Sequence, residues 1–419
     1  MAFTATQIPD IAGRKYPPEL AGWLYPKGID IVDESEIEAL IRREAIDEAV
    51  FSYSDVAHLE VMHLASRVVA AGANFVLAGK ERTQLKSRLP VISICAVRTG
   101  CGKSPATRRV AHLLRMLGWS PVVIRHPMPY GDLARQRCQR FTSMADLDTN
   151  QCTIEEREEY EPHIEQGTIV YAGVDYEEIL RRAERDGDIV LWDGGNNDTS
   201  FYRSDLEFVV LDSHRVGHEM SYYPGEVNFR TADVLLINKV DCANAYHLRQ
   251  LRERCREINP RARVVETACS ISVSKPEMLR GRRALIIEDG PTLTHGGMSY
   301  GAGVVCAQNF GVGTIVDPRP HAVGSIRATF EKFHHLSAVL PAMGYSESQR
   351  RELQETIDRV PCDVVIVATP IDLSRVIRIS KPCIRVKYEM EEVSHPNLSE
   401  ILDEFTNSFW PTAPEVAIV

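Results

Sequence analysis

Three short runs in this chain carry the residue types that phosphate chemistry needs. Val97-Arg98-Thr99-Gly100-Cys101-Gly102-Lys103-Ser104 follows an apolar run, Val91 to Ala96, and precedes a helical pattern from Ala106. Strand, glycine-bearing turn, Lys-Ser and helix make the layout of a P-loop. Its backbone N–H groups and helix N-terminus surround phosphates, the lysine contacts the terminal ones, and the serine hydroxyl holds Mg2+. The consensus begins with glycine where Val97 stands here. Thr99, Gly100, Cys101, Gly102, Lys103 and Ser104 are therefore expected to cradle a nucleotide.

The second run, Ile189-Val190-Leu191-Trp192-Asp193-Gly194-Gly195, is a buried strand ending in an acid and two glycines. Asp193 there can share the Mg2+ shell with Ser104, and glycine lets the backbone approach a γ-phosphate. The third, Val234 to Asp241, ends in NKxD after a strand. In GTP-binding proteins the aspartate of that motif accepts two hydrogen bonds from guanine and the lysine packs on the base. Asn238, Lys239 and Asp241 are expected at the base, with ATP as the nucleotide and GTP as the alternative that NKxD raises. Arg98 sits five residues before Lys103, where dimeric P-loop enzymes carry a lysine that reaches the partner's nucleotide. It is either a finger neutralising transition-state charge with Lys103 and Asp193 or a loop arginine held by its own chain. The first reading implies a homodimer.

The elements that must position these runs follow from hydrophobic patterning. Short strands at Ile29–Val32, Ala49–Tyr53 and Asn74–Leu77 alternate with helical stretches, which predicts a small Rossmann-like α/β unit over 1–88. The polar run Gly79 to Arg88 reads as its linker. From 89 to 419 the chain reads as one P-loop NTPase domain of the α/β class with a mostly parallel sheet. The charged, weakly patterned stretch around 126–187 reads as an insertion carrying ligand-facing loops.

Composition narrows the function. The 419 residues hold 48 basic and 58 acidic side chains, a net charge of −10, which disfavours nucleic-acid and anionic-membrane binding. No apolar run is long enough to span a membrane, and the N-terminal residues lack a signal-peptide pattern. Ten cysteines without a CxxC pair argue against a disulfide framework or zinc site, and a cytoplasmic protein is expected. Arginine outnumbers lysine 38 to 10. That surplus fits codon bias, or a polyanionic ligand gripped bidentately by guanidinium groups.

The segments RTGCGKS, WDGGNND, PGEVNFRTADVLLINKVD, EDGPTLTHGGMSYGAG, DPRPHAVGSI, LPAMGY and ATPIDL resemble the cyclic 2,3-diphosphoglycerate synthetase family, and AGRKYPPELAGWLYPKG and SYSD extend the likeness over the whole chain. The resemblance implies ATP-dependent closure of 2,3-diphosphoglycerate into an internal phosphoanhydride, with ATP going to ADP and phosphate. A small-molecule polyanion needs cations at strand ends and glycine turns. Arg125 and His126, Arg215 with His214 and His218, and Arg230 are expected to supply them. So are His295 and Gly296 after one later strand, and Arg319 and His321 after the next. A regulatory or metallochaperone GTPase, or a kinase acting on a related phospho-acid, would use the same nucleotide motifs.

Overall fold

The computed structural model describes residues 1–4, 7, 11–126, 128, 131–195, 198–294, 296–336, 338–344 and 346–409. Strand β1 (Ile29–Val32) pairs with the short segments Phe3–Thr4 and Lys15–Tyr16, and is followed by helix α1 (Ile37–Glu44). Strand β2 (Glu48–Phe51), helix α2 (His58–Ala71) and strand β3 (Asn74–Leu77) complete the N-terminal unit, β2 and β3 pairing in parallel. The unit is α/β as expected. Its strands, at four residues each, divide between two small sheets instead of sharing one.

After the linker the apolar runs become strands of a single 13-stranded sheet. In chain order they are β4 (Val91–Ala96), β5 (Pro121–Arg125), β6 (Gln139–Phe141), β7 (Ile169–Ala172), β8 (Ile189–Asp193), β9 (Leu206–Asp212) and β10 (Val234–Asn238). Then come β11 (Arg263–Val273), β12 (Arg283–Asp289), β13 (Thr314–Ile315), β14 (Leu340–Ala342), β15 (Val364–Ala368) and β16 (Cys383–Glu392). Their order across the sheet is 13-12-15-16-11-10-9-4-8-5-7-6, with β14 also on β12. Only the β6–β7 and β11–β16 pairs are antiparallel. Strands β4, β5, β8, β9 and β10 are buried along their full length, as continuous Val/Ile/Leu runs must be when helices cover both faces.

Two helices of this region matter for the site. Helix α3 (Lys103–Met116) starts at the P-loop and lays Ala106, Val110 and Leu114 on the sheet at helical spacing. Helix α4 (Ile154–Glu165) lies inside the expected insertion and is not solvated. Glu155, Glu156, Glu158, Glu161 and His163 are all buried, between the nucleotide half of the sheet and the half built from β12 to β16. The insertion therefore adds β6, β7 and a packed helix rather than a set of open loops.

The long antiparallel pair β11–β16 joins these halves, whose apolar cores form separate clusters. The N-terminal unit docks on the nucleotide half. Val56–Ala57 pairs antiparallel with Tyr222–Tyr223, and Lys80 forms an ion pair with the buried Glu207. Among the described residues no helix is long and apolar enough to cross a membrane.

A P-loop clamped by buried ion pairs

Residues 97–102 form the turn between β4 and α3. Gly100 and Gly102 take φ of +80° and +107°, the left-handed region that favours glycine. A Cβ on Gly102 would fall 2.2 Å from Nδ2 of Asn238, so this glycine also permits a close approach. That neighbour is part of a clamp. Asn238 Nδ2 donates to the Cys101 carbonyl at 2.8 Å, and Lys239 Nζ donates to the Gly100 carbonyl at 2.9 Å. The Asn-Lys pair thus holds the back of the loop, while Asp241 lies beyond it and accepts from the Cys269 N–H at 3.3 Å. Burial pushes the Cys101 thiol up to about 11, which makes it a small packed residue and not a nucleophile.

At the strand end, Asp193 is fully buried. Lys103 Nζ stands 3.6 Å from its Oδ1, Arg125 Nη1 3.4 Å from the same oxygen, and His163 Nε2 3.3 Å from Oδ2. Burial alone would favour the neutral acid. Arg125 and Lys103 override it and hold the carboxyl well below the ordinary range, so it is an anion. His163 is pushed down by burial, against the pull of Asp193, and stays neutral. Oδ1 of Asp193 has no hydrogen-bond donor among the described residues, and Ser104 Oγ donates to Glu159 at 3.2 Å. An ionised strand-end acid whose Oδ1 accepts no hydrogen bond, on the same side of the sheet as the P-loop lysine, fits the shell of a Mg2+ ion bound with nucleotide.

The cations expected on the substrate are committed to acids. Arg98 is buried, with Nε 2.6 Å from Asp55 Oδ1, Nη1 2.9 Å from His218 Nδ1, and its guanidinium 3.6 Å over the Tyr222 ring. It is held by its own chain in this arrangement, and Asp55 comes from the N-terminal unit. Arg125 is buried as well, donating to the carbonyls of Asp193 and Gly194 and pairing with Glu159 at 2.5 Å. It braces the strand end. Arg215 donates to Asp212 at 2.9 Å and to the carbonyls of Gly296 and Thr99, both at 2.8 Å. That brings the Gly296 turn onto the P-loop.

His126 Nδ1 lies 2.5 Å from Asp198 Oδ2, and its ring would strike any Cβ on Gly195. Arg230 pairs with Glu226 one helical turn away, and the exposed Arg319 lies on Asp317. His321 sits beside Arg319 in the 3-10 turn Arg319–His321. His295 lies outside the described residues. Arg215 and Gly296 thus meet, as do Arg125, His126 and the Asp193 strand end. For Arg230 and Arg319 the ion pairs are with sequence neighbours.

No protein-family model matches the chain. Arginine synthetase ArcE of Thermococcus kodakarensis is 59% identical over 408 residues, which cover 97% of this chain and 91% of that protein. The chain belongs to the arginine synthetase ArcE family. The cyclic 2,3-diphosphoglycerate synthetase name that the motifs suggested is not the one this relative carries. Among solved structures, LpxK from Aquifex aeolicus in complex with ATP is 12% identical with a TM-score of 0.44, over 78% of this chain and 92% of that one. HypB from Archaeoglobus fulgidus is 18% identical with a TM-score of 0.28, over 50% of this chain and 89% of that one. The P-loop NTPase fold of this ArcE-family chain is carried by its own strand order, with β4 between β8 and β9, and by the glycine turn between β4 and α3.

Several acids shape the ArcE-family site without having stood out in the sequence. Asp212 ends β9 as Asp193 ends β8, and accepts from Lys239 Nζ and Arg215 Nε, both at 2.9 Å. Burial opposes its ionisation, but Lys239 and Arg215 hold it low. A strand ending in an acid was the available signal. Asp55 and Ser54 belong to the SYSD run, which stood out only as part of the family likeness. Here Asp55 holds Arg98 and Ser54 hydrogen-bonds Asp198. Glu159 is hidden among the six glutamates of α4, and nothing local distinguishes it.

Proposed function

We propose that this chain is a nucleotide-dependent synthetase that completes a guanidino group, giving arginine. The reading rests on 59% identity over nearly the full length of a protein named for arginine synthesis. The chemistry follows from the product. Citrulline differs from arginine in one atom, a ureido oxygen where arginine has nitrogen, and that oxygen is a poor leaving group. Transfer of the γ-phosphoryl to it makes a phosphate leaving group. Ammonia then attacks the carbon, the C–O bond breaks with its electron pair going to phosphate, and the nucleotide leaves as its diphosphate.

Each part of the site has work in that sequence. The P-loop N–H groups and Lys103 bind and orient the phosphates. Ser104 and Asp193 would hold Mg2+, which neutralises charge on the transferring group. Arg125 and His163 fix Asp193, while Asn238 and Lys239 keep the loop in shape. The NKxD spacing of Asn238, Lys239 and Asp241 keeps GTP a candidate beside ATP.

Synthesis of cyclic 2,3-diphosphoglycerate is the second reading, favoured by the long motifs of that family in this chain. It asks for free cations around a polyanion, whereas Arg98, Arg125, Arg215, Arg230 and Arg319 all lie on carboxylates. One experiment separates the two. Purified protein is incubated with citrulline, ammonium and ATP or GTP, and in parallel with 2,3-diphosphoglycerate and either nucleotide. Arginine with stoichiometric phosphate is expected from the first mixture. A ring diphosphate signal by phosphorus NMR in the second, with no arginine in the first, would reverse the assignment.

A further inference from the structure

The N-terminal unit touches the P-loop through one residue. Asp55 stands between β2 and α2 with φ of +58°, a left-handed backbone that Asp and Asn enter more readily than other side chains. Both of its carboxylate oxygens go to the turn between β4 and α3. Oδ1 accepts from Arg98 Nε at 2.6 Å, and Oδ2 accepts from the Thr99 N–H at 3.3 Å. The Arg98 and Asp55 side chains are 7% and 6% exposed. His218 and the Tyr222 ring close in the rest of the Arg98 guanidinium. The Thr99 carbonyl accepts from Arg215 Nη2 at 2.8 Å, while the Thr99 hydroxyl is buried without a partner among the described residues. The N–H and the carbonyl are therefore what fix this residue.

A residue other than glycine is retained in the left-handed region where its surroundings over-determine it, and such residues gather at functional sites. The surroundings here are the segments that follow the strand-end acids Asp193 and Asp212. After β8, Ser54 hydrogen-bonds the buried Asp198. The linker lies along the same segment, with the Leu85 N–H on the Phe201 carbonyl and the Arg203 N–H on the Leu85 carbonyl, both at 2.9 Å. After β9, Val56–Ala57 pairs with Tyr222–Tyr223, and the His58 N–H donates to the Ser221 carbonyl at 2.9 Å. Lys80 adds a further anchor on Glu207. Glu207 lies near the end of β9 opposite Asp212, so this anchor holds the unit without touching the P-loop.

We infer that Asp55 is a positioning residue for phosphoryl transfer. Through Arg98 and the Thr99 N–H it sets the entry of the P-loop, which makes the N-terminal unit part of the nucleotide site. This rests on the proposed nucleotide chemistry, whichever substrate receives the phosphoryl group. The turn must present its N–H groups and Lys103 in one arrangement, because misplacing a reacting group by about 1 Å costs about 100-fold in rate. A carboxylate on a guanidinium suits that hold, since charge-assisted hydrogen bonds are shorter and about twice as strong as neutral ones.

The test uses the whole protein, two readouts and a docking control. Asp55→Asn keeps the size, the tolerance of a left-handed backbone and one acceptor oxygen, and removes the charge. Lys80→Gln loosens the unit away from the loop. Phosphate release is measured with citrulline, ammonium and ATP or GTP, and with 2,3-diphosphoglycerate and either nucleotide. Asp55→Asn should lower kcat by about 100-fold while the KM for nucleotide moves far less. Lys80→Gln should lower Tm and leave kcat near native. Asp55→Asn combined with Arg98→Ala should be no slower than Arg98→Ala alone, because the two side chains act as one unit. Amide exchange over residues 97–104, read by mass spectrometry, should quicken by about 10-fold in Asp55→Asn and not in Lys80→Gln. Native kcat in Asp55→Asn would overturn the assignment, as would additive losses in the double variant or kcat losses that simply follow Tm in both single variants. If neither mixture turns over but the exchange difference is present, Asp55 sets the loop and the reaction assignment falls. Turnover that is native in Asp55→Asn, with no exchange difference, keeps the reaction and removes the positioning role.

Discussion

The two sides of the phosphate site manage buried charge in opposite ways. On the P-loop side, three buried acids have cations. Asp193 has Lys103 and Arg125, Asp212 has Lys239 and Arg215, and Asp55 has Arg98. On the α4–β12 side, the Glu158 and Asp289 carboxyls hydrogen-bond each other and burial raises both, while one oxygen of Glu155 has no donor among the described residues. Paired charges lock a geometry that must not change between turnovers. Buried acids without a cation hold a proton instead, because burial disfavours the charged form. A buried ion pair is costly to break from one side, whereas a buried acid without a cation costs stability only where pH is high enough to ionise it.

Substitutions on the paired side should have the largest effects. Lys103→Ala should lower turnover by about 1,000-fold, the scale of removing a preorganised charge from the transition state, with the fold retained. Stopped-flow or steady-state phosphate release checks this, and near-native turnover would detach the P-loop from the chemistry. Asp55→Ala leaves Arg98 buried without its acid. It should cost about 3 kcal/mol of stability, measured by denaturant unfolding, and weaken the docking of the N-terminal unit. A neutral result would mean that Arg98 finds another role when released, as a finger toward a partner would.

pH should act on the two sides with opposite sign. Burial pushes Glu155 and Glu288 up to about 7 and Asp289 up to about 6. Burial and the neighbouring carboxylates raise Glu158 as well. An acid raised in the folded state binds its proton more tightly there than in the unfolded chain. Its stabilisation is complete below the ordinary glutamate value of 4.5 and is lost as pH climbs toward about 7. Asp193 and Asp212 are held low, so their stabilisation is present at neutral pH and is lost only as pH falls below the ordinary 3.8. Denaturation of the protein between pH 4.5 and 7 should show falling stability from the raised acids, flattened in Glu158→Gln. A rising profile unaffected by that substitution would break the contrast. The smallest effect belongs to Arg319→Ala. Its ion pair with Asp317 is half exposed, and neither Tm nor the KM of any substrate should move measurably.

The nucleotide side was legible in the sequence because each of its parts is local. A glycine turn between an apolar run and Lys-Ser, an acid ending a second apolar run, and NKxD after a third all keep their chemistry within eight residues. The structure brings Lys103 to Asp193 as those spacings imply, whereas Asn238, expected at the base, holds the P-loop backbone instead. The buried acids of α4 were not legible. IEEREEYEPHIE has the composition of a solvated helix, and its burial depends on what packs around it, including the Gly344 N–H nearly 190 residues away. The arginines misled for the same reason. Position at a strand end says that a guanidinium can reach a phosphate, but not that Asp193, Asp212 or Asp55 has already claimed it.

By itself, then, the sequence determined the P-loop turn, the acid that ends the Ile189–Asp193 strand and the mostly parallel sheet that carries them, since period and motif are properties of neighbouring residues. Only the tertiary structure decided which charges are spent on one another and which are left bare. Desolvation and Coulomb energy depend on the distance between groups and on the water removed from around them, and both are set by elements far apart in the chain.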